Sequence, residues 1–136
     1  MSPLRQILYV SRASGGLSRA DIQNLLAEAG RKNWRHNVTG CLLYTGRSFV
    51  QLLEGESDVV GPLSERIAQH RWHNGMRVLL DRKVERRRYA DWSMGYVYNL
   101  DLADRIDTLC APSQLTDEDI EALLAELRPD PVMGRL

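Results

Sequence analysis

The stretch VTGCLLYTGRSFVQLLEG, residues 38–55, predicts two β-strands joined by a tight turn. Apolar, β-branched and aromatic residues dominate both halves, and Thr45-Gly46-Arg47 between them is typical of a hairpin turn. We therefore expect an antiparallel hairpin with strands at about 38–45 and 48–54, the second ending in a sharp turn at Glu54-Gly55. No helix fits between two strands that lie so close in sequence.

Gln51 is a polar residue within the second strand of this hairpin. Side chains alternate between the two faces of a strand, so Phe49, Gln51 and Leu53 share one face. A buried amide without a hydrogen-bond partner costs about 1–3 kcal/mol. Gln51 therefore faces water, bonds to a polar backbone group or waits for a ligand, and the spacing leaves these three possibilities open.

Upstream of the hairpin, the sequence predicts one strand and one helix. RQILYVS, residues 5–11, is rich in β-branched and aromatic residues, includes Tyr9, and precedes a glycine-rich loop. Ser18 and Asp21 have the spacing of a helix capping box, and apolar residues then recur at helical intervals. We expect this helix to run to about Asn33.

Downstream of the hairpin, a second helix precedes two more strands. Residues 57–69 carry an apolar stripe at helical spacing, but Gly61-Pro62 would strain an interior turn, so we expect an irregular start near Pro62. MRVLLDRKVE at 76–85 and WSMGYVY at 92–98 predict strands. The order βαββαββ predicts an α+β, ferredoxin-like fold: two helices on one face of a mostly antiparallel sheet, which the fifth strand extends.

Beyond residue 100 the sequence pattern becomes helical. A short helix is predicted by four apolar residues: Leu102, Ile106, Leu109 and Cys110. After APSQ, Thr116 and Asp119 cap a second helix. Its apolar stripe consists of Ile120, Leu123, Leu124 and Leu127. This stripe packs against the sheet of its own chain, or forms a dimer or effector interface. We expect a domain at 1–100 and a C-terminal helical extension at 101–136.

Composition restricts the class of protein. The 136 residues include 18 Lys and Arg and 18 Asp and Glu, so no overall positive charge indicates nucleic-acid binding. The basic stretch 82–88 is a solvated strand end or loop, or a phosphate or partner contact. Cys41 and Cys110 lack metal-ligand spacing, and no apolar run suits a signal peptide or a membrane span. We expect a cytoplasmic protein without a metal site.

No hydrolytic motif accounts for the polar residues of the chain. The histidines lack the HExxH spacing, no GxSxG elbow is present, and SGGLS after the first strand contains neither GxGxxG nor a P-loop lysine. A set of polar or redox-capable side chains remains at core-like positions: Tyr9, Asn33, Gln51, Trp92 and Met94. Each alone is compatible with a structural role, but their joint occurrence suggests one shared polar pocket.

These residues lie in motifs that resemble the BLUF family, flavin-binding domains that sense blue light. The resemblance spans about residues 4–98 and rests on ILYVS, KNWRHNVTGCLLY, FVQLLEG, ERIAQHRWH and RRRYADWSMGY. It implies FAD as the cofactor, with the isoalloxazine ring held between the two helices of the ferredoxin-like fold. Residues 1–100 would then be the flavin-binding domain.

The resemblance also implies which residues carry the photochemistry. Tyr9 resembles the electron donor, and Gln51 resembles the amide that switches between the phenol and flavin N5 and O4. Trp92 and Met94 resemble the final-strand pair that relays the switch. Ser11 is a further candidate for contact with Trp92.

Flavin contacts are implied at four other positions. Asn33 resembles the residue at the O4 and N3 edge of the flavin, Arg66 the residue at O2, and His73 a residue near the ribityl chain. Lys32 stands where the family often has Asn or His, and His70-Arg71-Trp72-His73 replaces a common Asp-x-Arg-His ending of the second helix. We expect these departures to alter the flavin contacts at that edge.

The function implied by the resemblance is blue-light sensing rather than catalysis. Electron and proton transfer from Tyr9 through Gln51 would rearrange the flavin hydrogen bonds and signal through the last strand and the C-terminal helices. The partner would be a separate effector protein, such as a cyclic-dinucleotide phosphodiesterase or a transcriptional regulator, and the chain would form a homo-oligomer. Two alternatives on the same fold are an acylphosphatase-like hydrolase, with Arg12 as its loop arginine, and a flavin-free ligand-binding regulator.

Overall fold

The elements of the chain follow the predicted βαββαββ order and continue into two C-terminal helices. The computed structural model describes residues 3–90, 93–109 and 115–128. Its elements are β1 (Leu4–Ala13), α1 (Arg19–Arg35), β2 (Thr39–Tyr44), β3 (Ser48–Glu56), α2 (Ser57–Ala68), β4 (His73–Lys83), β5 (Gly95–Tyr98), α3 (Ala103–Leu109) and α4 (Asp117–Glu126). A short 3-10 turn at Leu100–Leu102 leads into α3. The α+β, ferredoxin-like fold class is confirmed.

Strand β3 lies at the centre of the sheet and places Gln51 there. The strand order is β4-β1-β3-β2-β5. β3 is antiparallel to both neighbours, with Gln51 opposite Tyr9 on β1 and opposite Leu42 on β2. β4 is antiparallel to β1, and β5 is parallel to β2. The hairpin turn at 45–47 is confirmed, because β2 and β3 pair directly across it.

Strand β3 continues past the position where the sequence predicts a turn. The predicted sharp turn at Glu54-Gly55 is wrong, because β1 begins at Leu4 and supplies pairing partners as far as Glu56. A continuous ladder satisfies the backbone groups that a turn would leave exposed. Glu54 is therefore a buried strand residue, with none of its surface exposed to solvent.

Helix α1 matches its sequence signals, whereas α2 begins earlier than predicted. The capping box is confirmed: Ser18 Oγ accepts from Asp21 N at 3.1 Å, and Ser18 N donates to Asp21 Oδ2 at 2.9 Å. α2 begins at Ser57 and contains Pro62, so the expected irregular start near Pro62 is wrong. Val60 in the first turn is fully buried, and this packing outweighs the backbone donor lost at Pro62.

The two faces of the sheet carry separate hydrophobic cores. Helices α1 and α2 cover one face, called here the α1–α2 face, through residues that include Ile7, Leu26, Phe49, Leu53 and Val60. Helices α3 and α4 cover the opposite α3–α4 face, through residues that include Leu8, Val50, Ile106, Leu123 and Leu124. The apolar stripe of α4 thus packs against its own sheet, as one of the two predicted alternatives requires. The division at residue 100 stays a prediction.

Several sequence signals have structural roles unrelated to ligands. Cys41 is fully buried, and this burial raises the pKa of its thiol to about 12. Arg82 and Arg87 of the basic stretch bond to Gln6 and Thr39 within the chain.

In the described ranges, no helix combines the length and apolar character needed to cross a bilayer, and no three metal-binding side chains form a site. Cys110 and Trp92 lie outside those ranges.

Candidate functional site

A cavity of about 480 Å³ opens between α1 and α2 above the centre of the sheet. Gln51 contributes to its lining from β3, while Leu25 and Ala29 of α1 face Val59 and Leu63 of α2 across it. Small-molecule sites commonly enclose about 300–1,000 Å³ and combine apolar walls with a few polar groups. The cavity therefore has the size and the lining of a ligand site.

The structure places most of the predicted site residues in or beside this cavity. Five of them line it: Lys32, Asn33, Gln51, Arg66 and His73. Tyr9 lies beside Gln51 in the sheet but does not line the cavity, and Met94 contacts Gln51 from the segment before β5. The predicted contribution of Trp92 falls outside the described residues.

Tyr9 and Gln51 are directly opposed across β1 and β3, so their side chains lie next to each other on the α1–α2 face. The phenol is fully buried, and Tyr9 Oη is a buried side-chain atom for which no hydrogen-bond partner exists in the described structure. Burial raises the pKa of Tyr9 well above its usual value, so the phenol keeps its proton. A protonated and unpaired donor thus lies beside a buried amide.

Gln51 and Asn33 each contact the segment that precedes β5. Gln51 Nε2 lies 3.5 Å from Met94 Sδ, and a thioether sulfur is a weak acceptor. Asn33 Nδ2 donates to the backbone oxygen of Ser93 at 2.9 Å. Both amide side chains are buried, so the cavity lining is coupled directly to the start of the last strand.

His73 is a buried residue of the cavity lining and lies next to Tyr9. Its Nδ1 lies 2.7 Å from Ser11 Oγ, and its ring centre is 5.0 Å from that of Phe49 and 6.1 Å from that of Tyr9. Burial, together with the nearby His70, lowers the pKa of His73 to about 4. His73 is therefore neutral at pH 7 and adds no charge beside the phenol.

The low pKa of His73 predicts a pH-dependent stability. Between its ordinary pKa of 6.5 and its folded pKa of about 4, the unfolded chain binds a proton that the folded chain does not. The free energy of unfolding should fall by up to about 3 kcal/mol as the pH drops through this range, since one pKa unit corresponds to about 1.36 kcal/mol. Urea unfolding of the ligand-free protein at pH 7.5 to 4.5 measures this change. His73→Gln should flatten the dependence, and the exposed-site control His36→Gln should not; an equally steep fall in His73→Gln would contradict the assignment.

Charged side chains surround the outer part of the cavity. Lys32 pairs with Glu28 at 2.9 Å, and the exposed Arg66 lines the cavity from α2. The sequence assigns no individual flavin contact to four further charged or titratable lining residues: Glu28, Arg35, His36 and His70. Their spacing carries a signal, because Glu28 and Arg35 lie four residues before and two residues after the predicted Lys32–Asn33 pair, at the same end of α1. The basic members of this rim favour a ligand with phosphate groups.

Comparisons with known proteins match the domain that contains this cavity. A family model described as "Sensors of blue-light using FAD" matches residues 4–95. Photoactivated adenylate cyclase subunit beta of Euglena longa is 33% identical over 94 residues, which cover 68% of this chain and 11% of that protein. The blue light- and temperature-regulated antirepressor BluF of Escherichia coli (strain K12) is 32% identical over 108 residues, covering 79% of this chain and 27% of that protein.

A solved structure shows the same fold over nearly the whole chain. The dark-state structure of BlrB, a BLUF protein, aligns with a TM-score of 0.79 and 29% identity and covers 93% of this chain and 96% of its own. By contrast, the chain spans only about a tenth to a quarter of the two curated relatives described above. The similarity to those relatives therefore concerns one part of each.

Proposed function

The chain belongs to the BLUF family, the sensors of blue light using FAD, and from this premise we propose that it is a photoreceptor with FAD bound between α1 and α2. The family description is that of a sensor. The observation that carries the proposal is the unpaired Tyr9 hydroxyl beside the Gln51 amide. A buried donor without a partner costs about 1–3 kcal/mol unless a ligand completes its bonding.

The side chains around the cavity fit a flavin. Asn33 and Arg66 would hold the polar edge of the ring, Gln51 would contact its N5 and O4 side, and His73 would lie near the ribityl chain. The basic rim, including Lys32, supports the dinucleotide form, because FAD carries two phosphates. These assignments combine the cavity lining with the roles that the family resemblance implies.

Tyr9 and Gln51 would carry out the photochemistry. Bound flavin supplies blue-light absorption and, once excited, a strong one-electron oxidant. Tyr9 would give one electron and its hydroxyl proton to the excited flavin, and both would later return to Tyr9. Gln51 can pass the proton because its amide offers two donors and one acceptor. After the return, the Gln51 amide is left rotated or tautomerised, with a changed set of hydrogen bonds.

Met94 and Trp92 would relay this change to the last strand. Gln51 already contacts Met94, which directly precedes β5, and β5 leads through the 3-10 turn into α3. A rearranged amide would alter the Met94 contact and shift this connection. A coupling of about 1–3 kcal/mol would change partner affinity about fivefold to 150-fold.

The output partner would be a separate effector protein that binds the C-terminal helices. The chain itself would form a homo-oligomer, whose rearrangement is a second way to pass on the signal. A transcriptional regulator is supported by the E. coli relative, which is named an antirepressor, and a cyclic-dinucleotide phosphodiesterase is the second candidate class. A pull-down from native extract, performed in the dark and under blue light, would identify a partner that is retained in one state only.

The proposed cofactor predicts a yellow protein that releases FAD on denaturation. Asn33→Ala should weaken FAD binding about tenfold or more, because a buried polar contact is lost. Asn24→Ala is the matched control, since Asn24 is exposed on the same helix. Fluorescence titration of the flavin-free protein measures both affinities. A colourless protein that cannot be reconstituted with FAD would contradict the proposal and favour a flavin-free regulator.

The acylphosphatase-like alternative is disfavoured by the position of Arg12. Its side chain lies 3.3 Å from Asp107 of α3 and does not line the cavity. A hydrolase of that type would need this arginine at its anion site, and Gln51 would have no role in it.

A further inference from the structure

Glu54 anchors residues 88 and 89 from the side of the sheet opposite the cavity. These residues belong to the connection between β4 and β5, of which the structure describes residues 84–90, 93 and 94. Its side chain is fully buried. Its carboxyl oxygens accept from Arg88 N at 2.8 Å, from Tyr89 N at 2.9 Å and from Gln6 Nε2 at 3.0 Å. A buried carboxyl group is costly unless its oxygens are bonded, so this site is built around those donors.

Tyr89 extends from this anchor to helix α4. Its ring is buried in the core of the α3–α4 face, and its hydroxyl donates to the backbone oxygen of Leu127 at the end of α4. Arg88 Nη2 lies 3.5 Å from the backbone oxygen of Leu124 in the same turn. Residues 88 and 89 are therefore bonded to β3 on one side and to the last turn of α4 on the other.

Strand β3 also contacts this connection at a second point. Gln51 and Glu54 are three residues apart and lie on opposite faces of the sheet. Gln51 holds Met94 near one end of the connection, and Glu54 holds residues 88 and 89. Met94, which Gln51 contacts, and residues 88 and 89, which adjoin α4, thus belong to the same connection between β4 and β5.

From this arrangement we infer that Glu54 and Tyr89 carry the change at Gln51 across the sheet to helix α4. Glu54 is a positioning residue that fixes the backbone of the connection, and the Tyr89 hydroxyl is the link to α4. This inference rests on the proposed photochemistry at Gln51. It adds a route that reaches α4 directly, without passing through β5 and α3.

Tyr89→Phe tests this route because it removes one hydroxyl and retains the packed ring. Two quantities are measured on the FAD-loaded full chain: the light-induced red shift of flavin absorbance, and the amide hydrogen exchange of residues 117–127 in the dark and under blue light. We expect wild-type exchange in α4 to change about fivefold or more on illumination. Tyr89→Phe should keep the red shift but bring the ratio of light to dark exchange close to one.

Tyr44→Phe is the matched control, because Tyr44 Oη also donates to a backbone oxygen, that of Gly46, at 3.2 Å. It should retain the wild-type ratio. If the Tyr89 bond is merely structural, its loss in Tyr89→Phe raises exchange equally in light and dark. A ratio of light to dark exchange equal to that of the wild type would therefore overturn the inference. The inference is also overturned if the wild-type protein shows the red shift but no light-induced change in the amide exchange of α4.

Absence of the red shift in the wild type would instead refute the proposed function, so the failure of the proposed function and the failure of this inference can be distinguished.

Glu54→Gln is the second variant, to be used if Tyr89→Phe does not fold. It preserves the size of the side chain, but one acceptor oxygen becomes an NH₂ group that faces backbone donors. The same ratio of light to dark exchange decides the outcome.

Discussion

Tyr9→Phe is expected to abolish the light-induced red shift of the FAD-loaded protein while leaving the ligand-free fold at least as stable as the wild type. Phenylalanine can supply neither the hydroxyl proton nor an easily removed electron. The Tyr9 hydroxyl has no partner in its buried position, so removing it removes an unsatisfied group that costs about 1–3 kcal/mol. Flavin absorbance before and after illumination, and urea unfolding of the ligand-free protein, measure the two effects.

Tyr98→Phe is the control for this prediction, because Tyr98 is half exposed at the edge of the sheet and lies outside the cavity lining. It should leave both the red shift and the free energy of unfolding unchanged. A full and reversible red shift in Tyr9→Phe would show that another residue is the electron donor.

Gly40→Ala is expected to prevent normal pairing of β2 with β3. An added Cβ would lie 2.0 Å from the backbone oxygen of Leu52, which is far inside van der Waals contact. Neither strand can move away without breaking the sheet beside Gln51, so we expect a loss of more than about 3 kcal/mol in the free energy of unfolding, and with it the flavin site. Urea unfolding and FAD titration measure the two losses.

Gly15→Ala is the corresponding control, because an added Cβ at Gly15 meets no atom within 4 Å. It should fold and bind FAD like the wild type. Wild-type stability in Gly40→Ala would mean that the close approach between β2 and β3 is not required by the fold.

Local sequence patterns predict most of the fold because each acts over a few residues. The capping boxes at Ser18 and Thr116 and the hairpin at 45–47 are all present in the structure. The early start of α2 could not be predicted, because it depends on the burial of Val60 against the sheet. Tertiary packing there overrides the local preference of Gly61-Pro62.

Glu54 shows most clearly what the sequence pattern leaves out. An acidic residue before glycine is typical of a turn, yet Glu54 is buried because Gln6 lies opposite it and residues 88 and 89 return to it from 34 and 35 positions away. Contacts between such distant positions leave no local pattern. Asn33, Gln51 and Arg66 do line the cavity, and the resemblance implies a flavin contact for each, whereas Arg35 and His70 lie in the same motifs without an implied contact, and only the fold brings them to the lining.

The infrared difference spectrum between light and dark states of the FAD-loaded protein tests the central claim most directly. If the Gln51 amide re-pairs with flavin O4, the C4=O bond is weakened, and its stretching band should move reversibly to lower frequency in the wild type. Gln51→Ala should still bind FAD but show no such movement. The same band shift in Gln51→Ala would contradict the claim that this amide is the switch.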